Sequence, residues 1–286
     1  MIAVKALSQQ HSIVTLCRVL RVNRSTYYKW LNHLPSAREL ENRVIRSYIL
    51  DLYSKTDKRL GVDKITDCLR RDYCISISSG SVYRLMKSMN LPKMATVKPP
   101  KSSYVKTDDS ECINFLAQNF NQPAPNLVWV SDFTYIRVAG RFYYMCAILD
   151  LFARKIIAYR VSNRMNTQVA IDTLNDALKT RGSISGLMFH SDRGSQFTSK
   201  RFRRYLDSLN IVQSFSAKGH PYDNAVMECF FKYMKKEETD RRCYHTLDTL
   251  KQSLFTYING FYNSVRPHSH NNGLSPNQKE DSFMTS

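Results

Sequence analysis

The spacing of apolar residues predicts two short helices near the start of the chain. Ile13, Leu16, Cys17 and Leu20 fall on one helical face, and a break follows at Val22-Asn23. Ser25 is placed to cap a second helix, whose apolar and aromatic residues are Tyr27, Tyr28, Trp30 and Leu31. This pattern is similar to a helix-turn-helix unit, in which Arg21, Arg24 and Lys29 would contact phosphates. An ordinary helical hairpin fits the same pattern.

The same two-helix pattern recurs further along the chain. A longer amphipathic helix is predicted first, with apolar residues from Leu40 to Leu52 at helical spacing. In residues 60–91, one helix carries Ile65, Cys68 and Leu69. The next helix, with Ser79 as its cap, buries one face and exposes Arg84 and Lys87; the buried residues are Val82, Leu85, Met86 and Met89. Two such units in tandem on a basic segment favour DNA binding over a generic helical bundle.

The pattern changes after a linker rich in Pro and Lys, "KMATVKPPKSSYVKTDDS", which marks a domain boundary near residues 95–110. From Asn126 onward, three runs rich in β-branched and aromatic residues predict antiparallel strands, with Gly140 at a hairpin turn. Helices and strands then alternate as far as about residue 240. This order predicts an α/β domain with a mixed sheet.

The net charge of the chain indicates which class of partner it binds. The formal net charge is +18 and the pI about 9.7, which indicates a polyanionic partner, most often nucleic acid. The first 107 residues hold 20 Lys and Arg against 7 Asp and Glu. A basic front part followed by a nearly balanced part is typical of a binding module joined to a second function.

The seven cysteines show neither a CxxC pair nor zinc-ligand spacing, so we expect reduced thiols. No apolar run reaches membrane-spanning length, and "MIAVKALSQQ" has no signal-peptide pattern. We therefore expect a soluble, intracellular protein of the cytoplasm.

Three acidic residues occupy positions at which they could form a metal site. Asp132 interrupts the apolar strand "LVWVSDFTYI", Asp192 ends the strand "MFHS", and Glu228 lies on a later helix. The intervals between them are 59 and 35 residues. Carboxylates converging from two strands and a helix would hold Mg²⁺ or Mn²⁺, and two such ions about 4 Å apart could cleave a phosphodiester. Each acid alone could equally be a cap or a surface charge; the joint pattern favours the metal site.

Four motifs carry a resemblance to a known family: "WVSDFTYI", "HSDRGSQFTS", "KGHPYDNAVMECFFKYMKKE" and "YNSVRPHSHNNGLSP". Together they closely resemble the second-frame transposase of the insertion-sequence-three family. Those proteins are DDE recombinases with a catalytic core similar to that of retroviral integrases. The resemblance spans essentially the whole chain and includes the 35-residue interval.

The resemblance implies an RNase H-like core with a mixed five-stranded sheet, preceded by all-α helix-turn-helix-type units. It implies that Asp132, Asp192 and Glu228 bind two Mg²⁺ or Mn²⁺ ions. The implied reaction is cleavage at the 3′ ends of the element, followed by strand transfer to another phosphodiester. The implied partners are the element's terminal repeats, target DNA, further copies of the chain on DNA and the first-frame product of the same element.

We therefore predict five segments: 1–37 and 38–94 as helix-turn-helix-like units, 95–120 as a basic linker, 121–240 as the catalytic core, and 241–286 as a helical tail.

Several neighbours of the acids have more than one interpretation. Lys232 and Lys235 follow Glu228 at i+4 and i+7, so they share its helical face and could hold DNA phosphates; a solvated basic face is the alternative. His190 could position water or phosphate, or be a hydrogen-bonded structural histidine. Gln196 could bond DNA or the loop backbone. Asn224 could cap the helix or orient an acid.

Two further sequence features have an interpretation of their own. Gly194 is interpreted as permitting the turn after Asp192. The tail motif Arg266-Pro267-His268 fits a structural role and a DNA-contacting role equally well.

Two other functions fit parts of the sequence. One is an RNase H-like nuclease that cuts without joining, which the two N-terminal helical units disfavour. The other is a DNA-binding regulator without catalysis, which the presence of all three acids disfavours.

Overall fold

The computed structural model describes residues 1–32, 34–91, 112–182 and 184–285. The chain forms two compact units, Met1–Asp51 and Leu52–Ser286. Residues 95–111 of the predicted basic linker lie outside the described residues. Across the described ranges, no helix has both the length and the apolar character needed to cross a bilayer.

The first unit is helical, as predicted. Helices α1 (Ile2–Leu7), α2 (Ile13–Val19) and α3 (Arg24–Leu31) precede α4 (Ala37–Lys55), which continues into the second unit. The small core of this unit consists of Val4, Leu16, Cys17 and Tyr27. The predicted cap of α3 is wrong: Asn23 has the extended backbone of a cap, and its side chain accepts from Ser25 N at 2.9 Å. Ser25 is therefore already inside the helix.

The second helix pair consists of α5 (Val62–Tyr73) and α6 (Ser79–Ser88). Its buried residues are Ile65, Cys68, Leu69, Val82 and Leu85. Again the cap lies earlier than predicted, since the Ser78 hydroxyl accepts from Ser81 N at 3.3 Å. Met86 and Met89 are only partly buried, whereas Arg84 and Lys87 are exposed as expected.

The second unit contains a mixed sheet of five strands. Its strands are β1 (Val128–Val138), β2 (Arg141–Asp150), β3 (Lys155–Ser162), β4 (Met188–Ser191) and β5 (Val212–Phe215), in the order β3-β2-β1-β4-β5. β1 to β3 are antiparallel neighbours, and β4 and β5 run parallel to β1. The β1–β2 turn places Ala139 and Gly140 at φ 45° and +81°, as in a type I′ hairpin. The predicted mixed sheet is confirmed.

Helices cover this sheet and complete its core. They are α7 (Thr167–Arg181), α8 (Ser195–Thr198), α9 (Lys200–Ser208) and α10 (Ala225–Glu237), the last preceded by a short 3-10 turn, Pro221–Asn224. The core between helices and sheet includes Trp129, Phe189, Phe197 and Phe202, all essentially inaccessible to solvent. This packing fixes the part of β1 that holds Asp132 and the end of β4, which Asp192 follows.

The tail differs in one element from its prediction. One helix is expected within the tail over residues 246–263, but α11 (Leu247–Phe255) passes into a π-helical segment, Thr256–Tyr262. The π-helical segment ends beside Asn263, whose side chain bonds Ile156 N at 3.1 Å and Ile156 O at 2.9 Å. The chain then ends in α12 (Pro276–Met284). These bonds dock the tail on the free edge of β3.

Candidate active site

Asp132 and Asp192 follow a paired position on two adjacent strands. β1 and β4 run parallel, with Ser131 opposite Ser191. Asp132 is the next residue on β1, and Asp192 is the first residue after β4. The two aspartates therefore lie beside each other, Asp132 within β1 and Asp192 directly after β4.

Glu228 comes to the same region on α10. Just before this helix, Asn224 Nδ2 donates to Ser131 O at 3.3 Å, which holds the start of α10 against β1. Glu228 follows one helical turn later and is exposed. β1 and the start of α10 are therefore fixed to each other beside Asp132.

The electrostatics of Asp132 show that the acids interact. Burial raises the pKa of Asp132 well above its usual value, and the negative charges of Asp192 and Glu228 raise this pKa further. The Phe133 amide opposes this shift by donating to Asp132 Oδ1 at 2.7 Å. A buried carboxylate whose proton affinity is raised further by two neighbouring negative charges lies where a cation would be stabilised.

The surroundings of Asp192 correct the interpretation of Gly194. Burial raises the pKa of Asp192, and the Gly194 amide, donating to Asp192 Oδ1 at 2.9 Å, opposes the shift. Gly194 has φ −60° and ψ 144°, which any residue can adopt, so the turn itself does not require glycine. A Cβ at this position would instead collide with the side-chain amide of Gln196 and lie 2.9 Å from Asp192 Oδ1. Gln196 is buried. Residue 194 is glycine because a side chain would not fit there.

The three acids do not form a compact ligand set. Within the residues that the structure describes, no three His, Cys, Asp or Glu side chains are grouped closely enough to hold a metal ion together. Glu228 is the most exposed of the three, although nearby atoms displace part of its water and raise its pKa. The fold thus brings the predicted acids to one region and leaves Glu228 at its margin.

Lys235 lies in the field of these acids. Its Nζ is 4.4 Å from the centre of the Tyr135 ring, on β1. Burial lowers the pKa of Lys235, while the charges of Asp240 and Asp132 raise it. Lys232 is fully on the solvent side of α10. Both lysines share the Glu228 face, as the helical spacing requires.

His190 and Asn224 are both buried. His190 has no exposed surface, and its ring nitrogens lie 2.9 Å from Ser214 Oγ and 3.3 Å from Ser216 Oγ. Burial lowers the pKa of His190 to about 4, so this ring is neutral, and it cannot touch DNA. Asn224 occupies the N-cap position of α10, but its side chain makes no cap bond and donates to Ser131 O instead. Its Oδ1 is buried without a hydrogen-bond partner in the described part of the chain.

The remaining predicted DNA-binding residues are exposed side chains on helices. Arg21, Arg24 and Lys29 lie in and just before α3, and Arg84 and Lys87 lie on α6. Arg84 Nη2 also donates to Ser81 Oγ at 3.1 Å. Their exposure leaves contact with phosphates a prediction.

The tail motif is an internal anchor. Arg266 is buried and donates to both carboxylate oxygens of Glu237, the last residue of α10. His268 is also buried, and its ring packs edge-on against Tyr262. Sequence reasoning left this motif open because the acid that binds Arg266 lies 29 residues earlier. It missed Arg193 too, which follows Asp192 and donates through Nε to Ser216 O at 2.8 Å.

Comparison with known proteins decides the family. Two family models described as "Integrase core domain" match residues 122–221 and 209–276, and an "HTH-like domain" matches residues 39–99. The transposase InsF for insertion sequence IS3A of Escherichia coli K12 is 33% identical over 275 residues, covering 95% of each chain. The chain belongs to the IS3 family of transposases.

A second relative of this transposase comes from a distant bacterium. The transposase for insertion sequence element IS904 of Lactococcus lactis is 32% identical over 250 residues, covering 87% of this chain and 98% of that protein. A chain from the simian T-cell lymphotropic virus intasome aligns over 81% of this chain at 16% identity, with a TM-score of 0.45, too low to add to the assignment. The protein is thus an insertion-sequence transposase with an integrase-type core, a polynucleotidyl transferase that binds DNA.

Proposed function

We propose that Asp132, Asp192 and Glu228 form the catalytic DDE triad of this transposase, which cleaves the 3′ ends of its element and transfers them to a second phosphodiester. The observation that carries the proposal is the coupling of the acids. Asp132 and Asp192 follow the paired residues Ser131 and Ser191; burial raises the pKa of Asp132, and the charges of Asp192 and Glu228 raise it further.

The donor set suits Mg²⁺ or Mn²⁺. Carboxylate oxygens are the ligands these hard cations prefer, and the unpartnered Oδ1 of Asn224 adds a further oxygen near the strand end. We propose that Asp132 and Asp192 supply the central ligands, and that Glu228 completes the set by a side-chain movement on its exposed face of α10. When bound, two such ions supply Lewis-acid activation of the attacking oxygen and stabilise charge on the leaving oxygen.

The residues around the acids position both the site and the DNA. The Gly194 amide fixes one oxygen of Asp192 and the Phe133 amide fixes one oxygen of Asp132, so each carboxylate keeps its other oxygen for a ligand. Lys235, held over Tyr135, and Lys232 present cations on the Glu228 face. We propose that these lysines hold phosphates of the cleaved end.

The proposed partners follow from the reaction. Joining two DNA ends requires more than one active site, so we propose a homo-oligomer assembled on the terminal repeats and on target DNA. The first-frame product of the same element is a further proposed partner. The proposed location is the bacterial cytoplasm, on the nucleoid.

The test uses labelled duplexes that end in the element's terminal repeat, incubated with Mg²⁺. Asp132→Asn should abolish both 3′-end cleavage and joined products while DNA binding is unchanged. Asp207→Asn is the matched control, because Asp207 is an exposed acid on α9. Cleavage by Asp132→Asn at the rate of the control would overturn the assignment. Cleavage without joined products in the wild type would favour the nuclease alternative, and binding without cleavage would favour the regulator.

A further inference from the structure

The second unit contains a cavity of about 410 Å³ on the other side of α10 from the acids. We call it the tail pocket. Its lining includes Lys64 from α5, Arg154 between β2 and β3, Cys229 and Tyr233 from α10, and Arg266 and His268 from the tail. The cavity therefore combines residues from the second helix pair, the core and the tail.

The tail pocket and the candidate active site use different faces of one helix. A helix turns about 100° per residue, so Lys232 and Lys235 lie within about 40° of Glu228. Cys229 and Tyr233 lie about 100° and 140° round the axis from Glu228 on the same count. A ligand in the tail pocket would thus touch α10 without occupying the Glu228 face.

The cationic residues of the tail pocket differ in whether they have an acidic partner. Three of its lining residues are Lys or Arg, and none is Asp or Glu. Glu237 neutralises Arg266 through the bidentate pair, and Asp67 lies 3.7 Å from Lys64. Arg154 is different, because it forms no ion pair with any carboxylate of the described residues. Its Nη2 lies 3.4 Å from His270 Nδ1, and its Nη1 is buried without a hydrogen-bond partner there.

Burial of this guanidinium without an acid is costly. Desolvation lowers the pKa of Arg154 to about 10. A buried charge normally has an ionic partner, and the partner that the protein itself does not supply to Arg154 would be an anion. A planar guanidinium with a free donor suits the oxygens of a phosphate.

His268 responds to the same positive field. Its side chain is 8% exposed, and its Nε2 has no hydrogen-bond partner in the described residues. Burial lowers the pKa of His268 well below its usual value, and the charges of Arg266, Lys64 and His270 lower it further. An anion in the tail pocket would relieve this repulsion and give Nε2 a partner once it is protonated.

We propose that the tail pocket is a second phosphate-binding site, distinct from the catalytic acids, that holds one phosphate group of bound DNA through Arg154, Lys64 and His268. The cavity is larger than a phosphate, so an attached sugar fits beside the ring of Tyr233. The proposal rests on DNA binding by the transposase and not on which carboxylates catalyse the reaction.

The experiment measures how DNA affinity depends on salt, by fluorescence anisotropy of a labelled terminal-repeat duplex. Each lost phosphate contact should reduce the slope of log affinity against log salt by about 0.9. We expect Arg154→Gln and Lys64→Gln each to show this reduction, and Arg154→Lys to retain most of the wild-type slope. Arg204→Gln, an exposed arginine of α9, is the control and should retain its slope.

A second arm separates the sources of the phosphate. Titration calorimetry with inorganic phosphate and with pyrophosphate is performed on the wild type and on Lys64→Gln, the less buried change. Phosphate binding that Lys64→Gln weakens, with an unchanged DNA slope, would assign the site to a free phosphate instead of DNA. Unchanged slopes in both pocket variants together with no phosphate binding would overturn the proposal. Asp132→Asn should leave the slope intact, so the two proposals fail separately.

Discussion

Arg266 and Glu237 form a buried bidentate ion pair, with Arg266 Nη2 2.8 Å from Glu237 Oε1 and Nε 2.9 Å from Oε2. The same carboxylate accepts the Tyr257 hydroxyl at 2.7 Å. This pair ties the end of α10 to the tail. Because α10 carries Glu228, the tail helps to fix the position of the third acid.

Removing one member of this pair should therefore destabilise the fold strongly. Arg266→Ala leaves a buried carboxylate unpaired, which typically costs about 3–5 kcal/mol. Arg242→Ala is the control: Arg242 is half exposed and pairs with Glu238 at 3.0 Å, so its loss should cost about 0–1 kcal/mol. The measurement is the urea midpoint followed by circular dichroism. Equal midpoints for the two variants would show that the buried pair is not an anchor.

Gly194→Ala should impair catalysis with little effect on stability. The added Cβ collides with the Gln196 amide and presses on Asp192 Oδ1, so the carboxylate must move. A displacement of about 1 Å at a catalytic group can cost about 10²-fold in rate. Gly260→Ala is the control, because its Cβ would meet no atom within 4 Å. The measurement is the initial rate of 3′-end cleavage. A wild-type rate for Gly194→Ala would contradict the predicted steric collision.

Lys235→Gln should weaken the hold on the cleaved end. This lysine packs over the Tyr135 ring, and the charge of Asp132 acts on its ammonium group. Both interactions define its position. We expect a higher KM for terminal DNA and a salt slope reduced by about 0.9. Lys251→Gln, an exposed lysine of α11, should change neither quantity. A KM equal to that of the control would assign Lys235 to a solvated face.

Stability should fall in acid partly through His268. Its pKa in the folded protein lies below 6.5, the value expected for the unfolded chain, because burial and the cations Arg266 and Lys64 oppose its charge. As pH falls through 6.5, the unfolded chain takes up the proton first, so this contribution to folding stability is lost. Between pH 7.5 and 5, the urea midpoint of the wild type should drop more than that of His268→Gln. Parallel profiles would contradict the shifted pKa.

The sequence was sufficient for the parts that depend on local pattern or on family motifs. Strand and helix periodicity predicted the mixed sheet and the order of elements, and the motifs pointed to Asp132, Asp192 and Glu228. Helix caps were predicted one or two residues late, because Asn23 and Ser78 precede serines with the same capping chemistry. Local pattern alone does not separate two adjacent capping residues.

Features that depend on contacts between residues far apart along the chain could not be predicted from the sequence. Arg266 has its acid 29 residues away, and Lys64 meets the tail only after both have folded. Gly194 was assigned to a turn because its true neighbour, the folded-back amide of Gln196, has no signature in the sequence. His190 was left open for the same reason, since its partner Ser214 lies on β5 and its partner Ser216 directly follows that strand.

The central claim is that Asp132 within β1 and Asp192 directly after β4, together with Glu228 on α10, hold the divalent ions that the reaction uses. Its most direct measurement is Mn²⁺ binding by electron paramagnetic resonance, comparing wild type, Asp132→Asn and Asp207→Asn at equal protein concentration. We predict that wild type and Asp207→Asn bind Mn²⁺ equally and that Asp132→Asn loses this binding. Wild-type Mn²⁺ binding by Asp132→Asn would contradict the claim.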